Sequence, residues 1–198
     1  IVERYGIRNK DALRAVLSLL CSSIGSYVSS SKIASTLKSS GHASVDHKTV
    51  INYLNNLCDA FLFYRADRYD IKGKAYLKTL FKYYSVDIGL RNAFLNFRQI
   101  EPTHTIENIV YLELLHRGYI VDIGKNDQKE IDFIAKNMKD TFYIQVTYTM
   151  VDESTREREL GSFKKLDDGY KKIVVTMDDD PFTNLENGYK KLNILDFL

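Results

Sequence analysis

The apolar positions in the first third of the chain recur at helical spacing and predict three short helices. The first helix has an apolar face, made of Leu13, Val16, Leu17, Leu20 and Ile24. A second helix is predicted around Ile33 and Leu37, and it stops near Gly41. A third, capped by Asp46, turns four apolar residues inward, Val50, Ile51, Leu54 and Leu57. Its opposite face is polar, with the side chains of His47, Lys48, Asn52 and Asn55.

Two extended runs follow these helices and predict a hairpin. Residues 61–69 and 76–84 are rich in aromatic and apolar side chains, and Gly73 between them suits a tight turn. The hairpin carries four basic residues, Arg65, Arg68, Lys72 and Lys74. Three helices and a hairpin are the element order of a winged helix.

The first half therefore resembles a winged helix-turn-helix domain, in which the third helix can enter the major groove and the wing can contact phosphates. This resemblance predicts a nucleic-acid-binding set made of His47, Lys48, Asn52, Arg65, Arg68, Lys72 and Lys74. Two other interpretations stay open, because winged helices also serve as protein-protein modules and polar residues on a third helix are typical of any solvated face.

The pattern changes after Pro102. Thr105 is predicted to cap a helix that has Glu107 in its first turn and ends at Gly118. Strands are then predicted at residues 119–123, 130–135 and 141–148, a charged helix at 154–168, and a buried strand at 172–177. The order is α-β-β-β-α-β, and it predicts two domains, residues 1–98 with a linker and residues 99–198.

Charge supports this division. The 28 Lys and Arg are shared equally, 14 in residues 1–95 and 14 in residues 96–198, whereas the 26 Asp and Glu divide 7 to 19. The first part therefore carries +7 and the second −5, which sum to the net +2. A basic first half suits nucleic acid as a partner, and it suits a merely solvated surface about as well.

Cysteines and absent motifs set further limits. Cys21 and Cys58 lie within apolar helical patterns, so buried free thiols and a cytoplasmic setting are expected rather than a disulfide or metal site. No stretch is long and apolar enough to span a bilayer, so no membrane partner is expected. The chain opens on Ile1 without a leader, which predicts that something preceded it. No G-x-x-x-x-G-K-[ST] loop occurs, so these 198 residues are not expected to hydrolyse ATP.

Over roughly residues 105 to 178, the order of elements and the place of Asp132 resemble the PD-(D/E)XK restriction-endonuclease-like superfamily. In that family an aspartate and a glutamate hold Mg²⁺, and a lysine two positions beyond the glutamate orients or activates the attacking water. The resemblance makes Glu107 the helix acid and Asp132 the strand aspartate, and these would be the metal ligands. It places Gln145 where the family has glutamate and Thr147 where it has lysine.

The last two positions depart from the family pattern. Because alternate residues of a strand face the same side, Gln145 and Thr147 are both expected to look toward Asp132. Neither supplies the negative charge or the ammonium group of the family residues, so the predicted site is degenerate. A lysine from elsewhere could restore it, and the candidates are Lys129, Lys164 and Lys165.

A second resemblance spans nearly the whole chain. Residues 81–90, 106–110 and 129–133 occur in an order similar to that in the C-terminal region of a prokaryotic family of AAA-type ATP-binding proteins. There an ATPase domain precedes a winged helix and a nuclease-like domain of unknown function. The resemblance implies ATP only in an upstream domain. Asp87 and Gly89 are predicted to be structural, as a cap and a turn residue.

Three functions follow as alternatives. The first is a DNA-binding accessory module of an AAA-type ATPase, in which the nuclease-like domain clamps or senses DNA without cutting it. The second is a Mg²⁺-dependent DNA endonuclease that uses Glu107 and Asp132. The third is a protein-interaction module that regulates the ATPase. The sequence predicts no particular oligomeric state.

Overall fold

A computed structural model describes residues 1–42, 45–98, 101–180 and 183–198. The chain divides into two compact units, one of residues 1–66 and 79–100 and the other of residues 67–78 and 101–198. Both helices and strands contribute, so the fold is mixed α and β. The sequence predicts a domain boundary between residues 98 and 99. Residues 99 and 100 lie outside the described residues.

The first unit has a helical core and a short sheet. Its described elements are α1 (Lys10–Ser22), β1 (Tyr27–Val28), α2 (Ser30–Ser39), α3 (His47–Asp59), the inner parts of β2 (Phe63–Asp70) and β3 (Ala75–Ser85), and α4 (Ile88–Phe94). Strand β1 pairs antiparallel with β3, with Tyr27 opposite Lys82. The predicted apolar faces form this core, since Val16, Leu20, Val50 and Leu57 are all fully buried.

Several local predictions in this unit can be checked directly. Asp46 caps α3 as expected, because its Oδ1 accepts a hydrogen bond of 2.8 Å from the backbone N–H of Thr49. Ile51 was expected to face inward, but 41% of it is exposed, since the buried stripe of α3 runs through Val50 and Leu54. Asp87 caps α4 through a 2.9 Å bond from Leu90 N–H, whereas Gly89 lies inside that helix and not in a turn.

The second unit contains the predicted α-β-β-β-α-β order and extends it. Its described elements are α5 (Pro102–His116), β4 (Ile120–Asn126), β5 (Lys129–Lys136), β6 (Thr141–Val146), α6 (Glu153–Gly161), β7 (Lys171–Thr176), β8 (Thr183–Asn184), β9 (Lys190–Asn193) and α7 (Ile194–Phe197). The strand order is β4-β5-β6-β7-β9-β8, in which β4, β5 and β6 are antiparallel neighbours and β6, β7 and β9 are parallel. The elements after β7 had not been predicted.

The outer part of the β2-β3 hairpin, residues 67–78, also belongs to the second unit. Strand β2 pairs in parallel with β4, with Arg68 opposite Ile123 and Asp70 opposite Lys125. The sequence had assigned the whole hairpin to the first domain, because local spacing does not reveal a partner strand that lies much later in the chain.

The start of α5 corrects another prediction. The helix begins at Pro102, which suits a first helical position because proline lacks the N–H that would stay unbonded there. Thr105 is therefore inside the helix and not its cap, and its Oγ1 donates to the carbonyl of Glu101 at 3.0 Å. Glu107 consequently falls in the second turn, where only 5% of it is exposed. The helix dipole, which acts in the first turn, does not account for this acid.

Among the described residues, no helix has the length and apolar character that crossing a membrane requires.

Candidate functional site

A β-bulge sets the geometry of the site on β5. Asp122 of β4 lies opposite Ile134, but Gly124, only two residues further, lies opposite Ile131, three residues back along β5. One extra residue is therefore accommodated on β5 between Ile131 and Ile134, and the strand bends there. An added Cβ on Gly124 would lie 2.9 Å from the Cβ of Ile131, so the close approach of the two strands requires glycine at this point.

Beyond the bulge, strands β5 and β6 stop pairing through their backbones. Their last paired residues are Phe133 and Ile144. At the positions that follow, hydrogen bonds to side chains replace those between the two backbones. Asp132 N–H donates to Gln145 Oε1 at 2.8 Å, and Val146 N–H donates to Asp132 Oδ2 at 2.8 Å. The sequence was right to bring Asp132 and Gln145 together, and the separation of the two strands explains how their side chains meet.

Gln145 links this opening to helix α6. Only 5% of Gln145 is exposed, and its Nε2 donates to Glu159 Oε2 at 2.8 Å. Glu159 is itself buried, with 8% exposed, while its Oε1 accepts a 2.7 Å bond from the exposed guanidinium of Arg158. The amide thus joins the backbone of Asp132 to a buried carboxylate, and both ends of the amide are used.

These groups face a cavity of about 260 Å³. Its described lining consists of Lys129, Glu130, Asp132, Gln145, Arg158, Glu159 and Ser162. An added Cβ on Gly161 would overlap the ammonium nitrogen of Lys129, so this lysine packs against α6 at the position where the helix has no side chain. The segment after α6 is held by Asn126, whose Nδ2 donates to the carbonyls of Ser162 at 2.9 Å and Lys164 at 3.0 Å.

The structure divides the predicted site residues into two groups. Asp132 and Gln145 line the cavity, and Lys129 alone of the three candidate lysines does so. Glu107 and Thr147 are buried but do not line it. Thr147 follows the end of β6, and its Oγ1 lies 3.4 Å from the carbonyl oxygen of Thr149.

Glu159 is one of four lining residues that the sequence did not predict, the others being Glu130, Arg158 and Ser162. It lies in a run of alternating charges, 156–159, which is typical of a solvated helix face. The available signal was the pair of small residues Gly161 and Ser162 just after it, since small side chains on a charged helix indicate close approach to a neighbour.

The chemistry of the cavity is mixed in charge. Asp132, Glu130 and Glu159 provide carboxylate oxygens, while Lys129 and Arg158 provide cations. Among the described residues, no group of three or more His, Cys, Asp or Glu side chains is arranged to hold a metal ion. Gln145 adds a neutral carbonyl oxygen to this lining, and that oxygen accepts the hydrogen bond from Asp132 N–H.

The predicted nucleic-acid-binding residues of α3 lie on one exposed face. His47, Lys48 and Asn52 are all exposed, together with Ile51 and Asn55. The helix is fixed from the opposite side by the buried core, so this polar face is presented to solvent on a rigid support.

The basic residues of the hairpin have more varied surroundings. The guanidinium of Arg65 lies 4.6 Å from the centre of the Phe81 ring, and Arg68 is half-buried. Lys72 donates to Asp127 Oδ2 at 2.8 Å, and this bond lowers the pKa of Asp127. Lys74 is exposed in the turn. The charge of Lys72 is therefore partly neutralised within the second unit.

These features define a mixed α and β protein of two units, the second of which carries a polar cavity where two strands separate. The chain belongs to the family described as "Domain of unknown function (DUF8612)", whose model matches residues 1–101. It is similar to an uncharacterised protein of Haemophilus influenzae, with 43% identity over 176 residues that cover 89% of this chain and 43% of that protein.

It is also similar to an uncharacterised protein of Methanocaldococcus jannaschii, with 29% identity over 195 residues that cover 93% of this chain and 42% of that protein. The chain thus spans less than half the length of either relative. No solved structure matches it.

Proposed function

We propose that this chain is a nucleic-acid-binding module in which a winged helix contacts DNA and a restriction-endonuclease-like domain contributes binding without cleavage. The observation that carries the proposal is the exposed polar face of α3, with His47, Lys48 and Asn52 on a helix held rigidly from behind. A recognition helix needs this combination, because side chains that contact bases and phosphates must be both solvated and fixed in orientation.

Two features of the topology support the fold assignments. In the first unit, β1 lies between α1 and α2 in the sequence and pairs with the hairpin strand β3, which suits a winged helix. In the second unit, an α-β-β-β-α-β order with antiparallel β4, β5 and β6 and parallel β7 suits the restriction-endonuclease-like core.

The hydrogen bonds of Gln145 support binding in preference to cleavage. Its amide oxygen is committed to Asp132 N–H and its amide nitrogen to Glu159. The neutral amide adds no negative charge to the two carboxylates, so a divalent cation would be held more weakly here than at a site with a third carboxylate. We further propose that this module acts together with an AAA-type ATPase domain of the same protein.

A metal-dependent nuclease is the second candidate, and one specific observation favours it. Lys129 lines the same cavity as Asp132 and Glu159, so an ammonium group and two carboxylates do share one site. In this alternative Lys129 takes the role of the family's lysine and Glu159 adds a carboxylate in place of Glu107.

A single titration separates these candidates. Binding of labelled duplex and branched DNA is measured across salt concentrations, with and without Mg²⁺ or Mn²⁺. We expect binding that weakens with salt, and a loss of about tenfold for Lys48→Glu, because one phosphate or base contact is removed and a repulsive charge is added. Lys10→Glu is the matched control, since Lys10 is also a lysine in the first turn of a helix.

The possible results have distinct meanings. Cleavage that requires a divalent metal and is abolished by Asp132→Ala would establish the nuclease. Absence of DNA binding at low salt would overturn both candidates and favour a protein-interaction module that regulates the ATPase. The ATPase association is checked separately, by looking for a phosphate-binding loop in the parts of the two relatives that this chain does not cover.

A further inference from the structure

A second concave surface lies at the other end of β5 and β6, around the turn that joins them. It has a volume of about 340 Å³ and contains three exposed lysines, Lys136, Lys139 and Lys171. The rest of its described lining is Asn137, Met138, Asp140, Thr141, Gly169 and Tyr170. Lys136 is four residues beyond Asp132, which on an extended strand is about 13 Å, so this lysine groove is separate from the cavity at Asp132.

The three lysines lie at one end of the sheet. Lys136 is paired with Thr141 across the hairpin and Lys171 of β7 with Phe142 of β6, so these two lysines project from opposite faces, and both line the groove where it passes around the strand ends. The turn between β5 and β6 is fixed because Asn137 Oδ1 accepts hydrogen bonds of 2.8 Å from the backbone N–H groups of both Lys139 and Asp140. The groove is therefore built on the ends of three neighbouring strands and a tied turn.

Positive charge prevails in the groove. Asp140 is the acidic residue of the described lining, against three lysines. Asp168 lies nearby, but it accepts a hydrogen bond from the Tyr143 hydroxyl and lies 3.6 Å from Lys172. The ammonium group of Lys171 is itself 5.5 Å from the centre of the Phe142 ring, an interaction that holds the side chain without neutralising it.

An aromatic ring adjoins these lysines. Tyr170 lines the groove with 46% of its surface exposed, and its ring packs edge-on against Tyr143 with 5.9 Å between ring centroids. Met138 at the tip of the turn is fully exposed. Exposed rings on a fixed support beside lysines are the features that proteins use for single strands, where each unpaired base offers a face for stacking.

We propose that the lysine groove binds a single-stranded nucleic acid, with Lys136, Lys139 and Lys171 on phosphates and Tyr170 against a base. A duplex is less suited, because its bases are stacked on one another and offer Tyr170 no free face. The proposal rests on the proposed function for the class of ligand. It adds a surface in the second unit that contains none of the predicted nucleic-acid-binding residues.

The test measures fluorescence anisotropy of a labelled oligothymidine with the full chain, between about 50 and 200 mM salt. The variant Lys139→Glu/Lys171→Glu is compared with Lys10→Glu/Arg14→Glu, which makes the same change in net charge on an exposed face of α1. We expect the groove variant to bind about tenfold more weakly and the control less than about twofold. The salt slope should fall by about 1.4, since about 0.7 is lost for each phosphate contact to a single strand.

Further variants guard against a trivial loss of folding. Lys139→Ala/Lys171→Ala removes the charges without adding repulsion, and it should show the same reduction of the salt slope with unchanged thermal unfolding. Tyr170→Ala should weaken binding several-fold, whereas Tyr170→Phe, which keeps the ring, should bind as the original protein does.

The results also separate this proposal from the proposed function. If the groove variants bind oligothymidine normally while Lys48→Glu loses duplex binding, the groove proposal is overturned and the proposed function stands. If the groove variants lose oligothymidine while Lys48→Glu has no effect on duplex, the groove proposal stands alone. Binding to anionic phospholipid vesicles that depends on these lysines, without oligothymidine binding, would overturn it in favour of a membrane surface.

Discussion

Two clusters in the second unit, each with one buried carboxylate, differ in the groups that surround the buried charge. In one, Asp132 and Glu159 face a cavity and are connected by the neutral amide of Gln145. In the other, Asp178 is only 6% exposed at its side chain and lies 2.8 Å from the ammonium group of Lys191, which also binds Asp180.

The second cluster is closed by further donors. Thr149 Oγ1 donates to Asp178 Oδ1 at 2.6 Å, Met150 N–H donates to Oδ2 at 3.0 Å, and Asn193 Nδ2 donates to the backbone carbonyl of Asp178 at 2.8 Å. The most buried carboxylate of this cluster, Asp178, therefore has both a cation and three hydrogen-bond donors around it. At the cavity of Asp132, the buried carboxylate of Glu159 instead accepts hydrogen bonds from the Gln145 amide and from the exposed guanidinium of Arg158.

The largest expected effect comes from Lys191→Met, which removes the cation from the cluster around Asp178. The change leaves Asp178 buried without its cation, so the free energy of unfolding should fall by about 3–5 kcal/mol. Chemical denaturation measures this loss. Lys190→Met on the same strand is the control, because Lys190 is exposed and its replacement should cost less than about 1 kcal/mol. Equal losses from the two variants would contradict the structural role given to Lys191.

The next largest effect is expected from Gln145→Glu, which changes the cavity at Asp132. The new carboxylate cannot donate to Glu159 and repels it, so we expect a loss of about 1–3 kcal/mol in the absence of divalent ions. With three carboxylates converging, Mg²⁺ or Mn²⁺ should restore stability in thermal unfolding, since a bound ligand stabilises the folded state. Gln128→Glu makes the same change at an exposed position and should show neither effect.

Acidification should change the free energy of unfolding by a smaller amount, through the carboxyl group of Asp178. Burial alone would raise the pKa of Asp178, but its bonds from Lys191, Thr149 and Met150 prevail and hold the pKa below the ordinary 3.8. A lowered carboxyl pKa contributes stability above pH 3.8, and this contribution is lost as the pH falls through the folded-state value. Asp178→Asn should therefore flatten the decline in unfolding free energy below pH 3.8, whereas Asp179→Asn, at an exposed neighbour, should not.

The smallest effect on stability is expected from Gly161→Ala. Alanine favours a helix by up to about 1 kcal/mol, and its Cβ meets only the flexible end of Lys129, so the protein should be unchanged or slightly more stable. The displaced ammonium group should react faster with an acetylating reagent, as followed by mass spectrometry at Lys129. Gly118→Ala is the contrasting control, since its φ of +80° strains any other residue and should cost roughly 1 kcal/mol.

The sequence predicted the helices and strands better than it predicted which side chains meet in the cavity. Periodicity predicted the first three helices of the first unit and the α-β-β-β-α-β order, because each depends on neighbours within one element, whereas α4 was not predicted. Asp132 and Gln145 were brought together correctly, since strand alternation fixes their common face. Glu159 was missed because its burial depends on how α6 packs on the sheet, which its charged neighbours conceal. Thr147 was expected at the site, but it does not line the cavity, and its hydroxyl lies 3.4 Å from the carbonyl oxygen of Thr149.

Residues 68–70 of β2 pair in parallel with β4, and this pairing also affects how the chain folds. These residues meet partners that follow them by 55 positions, so the contact closes a long loop and is expected to form late in folding. A polypeptide cut at residue 98 would carry this strand with an unmatched edge, and Asp70 and Lys72 would lose Lys125 and Asp127. Such a fragment is expected to associate through that edge, whereas the uncut chain covers it.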